Sequence, residues 1–124
     1  MGITDPARLV FVILADEDGT TLLQLLQAIT AGRISARVAL VITANRGARV
    51  QDRAEDQGIP TLFHPFDWYI ATGRTAAEYE HDLAELIAAR APDQVLLSGW
   101  NHPLSGDFVA RFDCQALADY LAVS

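Results

Sequence analysis

The sequence predicts a three-layer, Rossmann-like α/β domain: a mainly parallel sheet of about four strands flanked by helices. Three observations carry that expectation. Several short runs are apolar at every position, the mark of strands buried on both faces. Between them lie segments whose apolar residues recur at spacings of three and four, the mark of helices. The two kinds alternate along the chain, which calls for parallel pairing through right-handed crossovers. At 124 residues and 51% hydrophobic composition, the chain supplies one core and not two, so 1–124 reads as a single domain.

Residues 8–15 (Arg-Leu-Val-Phe-Val-Ile-Leu-Ala) form the first predicted strand. The acidic turn Asp16-Glu17-Asp18-Gly19 follows, then a helix over about 20–31 with Leu22, Leu25, Leu26 and Ile29 on one stripe and Gly32 closing it. A second strand spans 37–43, and a weaker, polar helix runs over 47–57 to Gly58. A short third strand at 60–64 leads into an aromatic loop at 65–74. Thr75 with Glu78 three residues on is a capping-box signature, and Tyr79, Leu83, Leu86 and Ile87 give the helix behind it an apolar face. Pro92 ends that helix; 94–98 is the fourth strand, and a Gly-Trp-Asn-His-Pro turn leads to a short helical piece at 105–112. Asp113 is expected to cap a last helix carrying Leu117, Tyr120 and Leu121.

Composition removes several function classes. The one cysteine, Cys114, excludes an internal disulfide and fits a reducing compartment. All nine basic residues are arginines, so a Schiff-base lysine and a phosphate-loop lysine are both excluded. A net charge of −7 argues against a nucleic-acid partner. The longest apolar run, 9–15, falls far short of the roughly 20 residues of a membrane span. The expectation is a cytoplasmic protein with no membrane partner.

In parallel sheets ligands sit beyond the carboxyl ends of the strands, which directs attention to 15–20, 44–48, 64–74 and 98–105. The first turn supports two readings from its residues. As Asp-x-Asp-Gly-Thr after a strand, Asp16 and Asp18 fit a Mg²⁺-dependent phosphatase of haloacid-dehalogenase type, one carboxylate attacking and the other acting as acid or base. As a cap, Asp18 is the N-cap and its charge complements the helix dipole, so a carboxylate fills the place of an anion. His64, His81 and His102 lack metal-ligand spacing; His64 and His102 follow strands and are expected at the sheet's carboxyl edge. Phe63, Phe66, Trp68 and Tyr69 are expected to pack under the third loop, near Trp100. Arg46, Arg49 and Arg53 share one face of the second helix.

A series of short pieces also occurs in a familiar order: Gly19-Thr20-Thr21-Leu22, Ala31-Gly32-Arg33, Val41 to Asn45-Arg46, Gly58-Ile59-Pro60-Thr61, Glu78-Tyr79 with Asp82-Leu83, Ala91-Pro92-Asp93, and Leu97-Ser98-Gly99-Trp100 with Leu104-Ser105. In order and spacing the region 8–112 resembles the N-terminal half of glycinamide ribonucleotide formyltransferase, a purine-biosynthesis family. The resemblance implies 10-formyltetrahydrofolate as cofactor, a substrate phosphate at Gly19, Thr20 and Thr21, and a folate-holding loop at Trp100, Asn101, His102 and Leu104. Asp16, Glu17 and Asp18 stand where the family has small residues, and each would repel a phosphate by about 1 kcal/mol or more. The family's Asn-x-His pair and later aspartate have no counterpart in the 124 residues; 113–124 reads as a divergent helix in their place. The chain alone is therefore expected to be catalytically incomplete, with residual transfer requiring a partner-supplied half. Without the family's next strand, the fourth strand is expected at an edge, covered by 113–123 or by a second chain in a homodimer.

Overall fold

A computed structural model describes residues 8–45 and 47–123. In chain order the elements are β1 (Leu9–Ala15), α1 (Thr20–Thr30), β2 (Ala36–Thr43), α2 (Arg49–Asp56), β3 (Thr61–Phe63), α3 (Phe66–Ala71), α4 (Ala76–Ala88), β4 (Gln94–Ser98), α5 (Gly106–Arg111), β5 (Gln115–Ala116) and α6 (Leu117–Ala122). The sheet runs β3-β2-β1-β4-β5 and every pairing is parallel. β1 is central because it is apolar on both faces: Phe11 to Ala15 are all fully buried.

Strand alternation divides the core into two layers. Phe11, Ile13 and Ala15 face Leu22, Leu25, Val50, Ala54 and Leu117, contributed by α1, α2 and α6. Val12 and Leu14 face Tyr79, Leu83, Ile87, Phe108 and Phe112, contributed by α4 and α5 and their flanks. Each such Leu, Ile or Phe contributes about 1.5–3 kcal/mol by leaving water. The helix over 20–31 thus delivers its predicted stripe, and the capping box at Thr75 forms in both directions.

Three expectations need correction. Among the described residues the sheet has five strands, because Gln115 and Ala116 pair with Leu96 and Leu97. β4 therefore lies inside the sheet, and α6 packs Leu117 fully buried with Tyr120 edge-on to Phe11 at 5.3 Å. Asp113 does not cap α6, whose N-cap is Ala116. It ends α5 instead: at φ 49° its N–H reaches Ala110 O and the N–H of Cys114 reaches Val109 O at 3.0 Å, a Schellman closure that aspartate tolerates better than most residues. The aromatic loop contains a helix, α3, started by Pro65, with Tyr69 turned into the core. Six residues rich in aromatics give too short a pattern to read from periodicity.

Candidate functional site

The carboxyl ends of β1, β2 and β4 meet at Asp16. Its N–H donates to Ser98 O at 3.1 Å, and its Oδ1 accepts from the N–H groups of Ala44 (2.7 Å) and Asn45 (3.2 Å). One residue thus ties three strand ends together. The side chain is only 1% exposed, and the other carboxylate oxygen, Oδ2, has no hydrogen-bond donor among the described residues; it lies 3.7 Å from His102 Nε2. Burial pushes the Asp16 carboxyl above the usual carboxylate range, against the opposing pull of the two amides and His102.

The neighbouring acids face other partners. Glu17 accepts from the Ser98 hydroxyl, while its carbonyl accepts from Val50 N–H at 3.2 Å. Asp18 Oδ1 accepts from Thr20 N–H at 2.9 Å, which holds its carboxyl below the usual range, helped by the Thr20 hydroxyl and by Arg53 and Arg49. Asp18 is not the N-cap as expected. That position is Gly19, at φ 90°, where a Cβ would fall 2.8 Å from Arg53 Cδ and 3.0 Å from Val50 Cα. Close approach of α2 selects glycine there, and the aspartate reaches the helix amide from one residue further back.

The turn after β4 closes the site from the other side. Gly99, at φ 67°, presses on Glu17, so that a Cβ would sit 2.9 Å from Glu17 Cβ. His102 stacks on Phe66 at 4.6 Å and meets Trp100 edge-on at 5.3 Å. Trp100 Nε1 is buried without a partner among the described residues, Leu104 packs on the same core layer, and Asn101 is exposed. Glu80 of α4 fastens the end of this turn, accepting from Ser105 N–H and its hydroxyl at 2.5 and 2.8 Å.

Of the residues singled out in the sequence, Asp16, Thr20, Trp100 and His102 share this edge. His64 is a buried anchor: Nε2 lies 3.2 Å from Tyr79 O, its carbonyl accepts from the Tyr79 hydroxyl at 2.6 Å, and burial lowers its pKa. His81 is exposed and pairs with Glu85 at 3.2 Å. Phe66 joins the site and Tyr69 the core, whereas Trp68 is 56% exposed. The charges of Arg49 and Arg53 favour the ionised Asp18 carboxyl; Arg46 lies outside the described residues. Among the described residues, three metal-ligating atoms come within 4.8 Å of one another at His81, Asp82 and Glu85, and not at Asp16 and Asp18. Phe66 is expected near Trp100 from the sequence, whereas Tyr79 escapes the sequence reading of the site, since it shows only as one member of the apolar stripe of α4.

Comparison with known proteins matches residues 8–118 to the family described as formyl transferase. The chain belongs to the formyl transferase family. It is 30% identical over 111 residues to the phosphoribosylglycinamide formyltransferase of Saccharomyces cerevisiae, covering 81% of this chain and 52% of that protein. The phosphoribosylglycinamide formyltransferase of Coxiella burnetii, solved in complex with CHES, superposes with a TM-score of 0.75 at 26% identity, over 84% of this chain and 47% of that one. Glycinamide ribonucleotide transformylase 1 of Symbiobacterium toebii gives 0.76 at 27% identity, over 87% and 49%. The chain thus spans about half the length of the relatives it matches.

Proposed function

We propose that these 124 residues are a ligand-binding domain of glycinamide ribonucleotide formyltransferase type, which holds a formyl-folate against the turn from Gly99 to Leu104. Transfer then depends on catalytic groups from outside them. The observation that carries this reading is the meeting of the first turn and the Gly99 turn on the adjacent parallel strands β1 and β4, at the edge where such sheets hold ligands. Trp100 and His102 supply an aromatic wall there, with Leu104 beside it.

The anion half of the family's site is altered. Asp18 takes a helix N-terminal amide that a substrate phosphate would otherwise use, and its charge opposes a second anion. The 124 residues contain no Asn-x-His, so the polarising and proton-shuttling groups of formyl transfer are not among them. A phosphatase built on Asp16 and Asp18 is the weaker reading: the Asp16 carboxylate is buried and one of its oxygens is committed to Ala44 and Asn45.

A thermal-shift assay with 10-formyltetrahydrofolate and with glycinamide ribonucleotide tests the reading. A folate at about 100 times its Kd adds about 2.7 kcal/mol and raises Tm accordingly. The ribonucleotide alone gives a much smaller shift, and the two together give no product. Turnover by the chain alone, or indifference to every folate, contradicts the proposal.

A further inference from the structure

We propose that Asp16 and His102 form a carboxylate–imidazole pair at the carboxyl edge of the sheet, in which His102 accepts a proton from an amine or hydroxyl group of a ligand and Asp16 is its positioning residue. Folate binding is not required for this pair, and the residues are not those of the family's Asn-x-His arrangement.

The geometry is specific. Oδ1 of Asp16 is fixed by two backbone N–H groups, which sets the carboxylate plane and aims Oδ2 at Nε2 of His102. Oδ2 is buried and has no other donor among the described residues. A buried acceptor left without a donor costs about 1–3 kcal/mol, more for a charged group, so the imidazole N–H is the partner this site lacks. The separation of 3.7 Å is an ion-pair distance; proton-transfer contacts of this kind are commonly long before a ligand closes the site. The ring has little room to turn away, stacked on Phe66 and abutted by Trp100, yet 16% of the His102 side chain remains exposed. Burial and aromatic walls on one side with a small opening on the other are what a positioned base needs.

The other groups facing the pair are weakly competing. From α4, Tyr79 lies 6.4 Å from the His102 ring, and its hydroxyl is spent on the His64 carbonyl. Glu17 is engaged with Ser98. In the proton-transfer step the ligand N–H or O–H bond breaks and its electron pair stays on the ligand. The proton goes to the imidazole nitrogen turned away from Asp16, and the Nε2 proton remains shared with Oδ2.

Diethyl pyrocarbonate probes the pair without a known ligand. The far imidazole nitrogen forms a bond to the carbonyl carbon as the anhydride C–O bond breaks, expelling ethyl carbonate, while Asp16 receives the Nε2 proton. His81, exposed on α4, is the internal reference. In Asp16→Asn, which keeps an acceptor for Ala44 and Asn45, peptide mass spectrometry should show His102 carbethoxylated roughly tenfold more slowly relative to His81. An unchanged ratio overturns the proposal. A second readout separates pairing from simple packing: the Asp16 carboxyl, followed by ¹³C NMR, should titrate at higher pH in His102→Gln than in the wild type, because the imidazolium no longer favours the carboxylate. Identical titration in the two proteins also overturns it.

Discussion

Replacing Gly99 by alanine tests whether the first turn and the turn after β4 are locked together. At φ 67° an alanine pays the left-handed penalty of about 1–2 kcal/mol, less about 0.4–1 kcal/mol regained from a stiffer unfolded chain. The larger effect is steric. The new Cβ would lie 2.9 Å from Glu17 Cβ and 3.2 Å from Glu17 Oε2, so Glu17 must move, and the bond it accepts from the Ser98 hydroxyl goes with it. Ser98 is 5% exposed, and a hydrogen bond to a charged group contributes about 1.5–3 kcal/mol. Together these give a loss of about 2–4 kcal/mol, or a fall in Tm of about 8–16 °C for a chain of this size. Differential scanning calorimetry measures it, with Gly106→Ala as control, since a Cβ there meets nothing within 4 Å. In a Ser98→Ala background the cost of Gly99→Ala should shrink, because the bond it breaks is already gone. A fall of less than about 2 °C, or full additivity with Ser98→Ala, would refute the idea that the turns are coupled.

Other consequences follow from single sites. Thr75→Ala removes the side-chain half of the capping box on α4, the bond from Glu78 N–H to the threonine hydroxyl, and should cost about 1 kcal/mol by urea denaturation, with an unchanged m-value. Ala91 sits at φ 47°, so Ala91→Gly should be neutral to stabilising by up to about 1 kcal/mol, unlike most glycine substitutions. Burial pushes the Cys114 thiol up to about 11, so iodoacetamide should alkylate it at pH 8 about a hundredfold more slowly than an unfolded control. Because burial raises the Asp16 carboxyl in the folded state, the native chain holds that proton more tightly than the unfolded chain does. Stability contributed at this group is therefore present below the unfolded value of 3.8 and lost as pH rises through the folded value. Asp16→Asn should gain on the wild type across that window in pH-dependent denaturation; a difference independent of pH would contradict the assignment.

The parts of this fold that are legible in the sequence are those whose signal is local. β1 and β2 announce themselves by unbroken apolar runs, and α4 by a cap and a stripe that the fold uses as written. β5 is two residues long and exists only because β4 offers it an edge, so no local pattern encodes it. Asp113 carries the composition of a cap, yet the helix that needs closing lies before it and not after. The site divides along the same line. That a strand-end acid and a strand-end histidine share one edge is readable; that Asp16 and His102 face each other depends on β4 lying beside β1, which is a property of topology. The roles within the acidic turn were also beyond reach. Three consecutive carboxylates look like one patch of charge, whereas the backbone turns each towards a different donor.

Amide NMR with stepwise addition of 10-formyltetrahydrofolate bears most directly on the proposed role. Shifts should concentrate in residues 99–105, with smaller ones at 16–20, while the amides lining the groove between β3 and α4 (Leu62, Leu86, Ala89) stay in place. Saturation without movement at 99–105, or movement centred on that groove, would contradict a folate-holding edge.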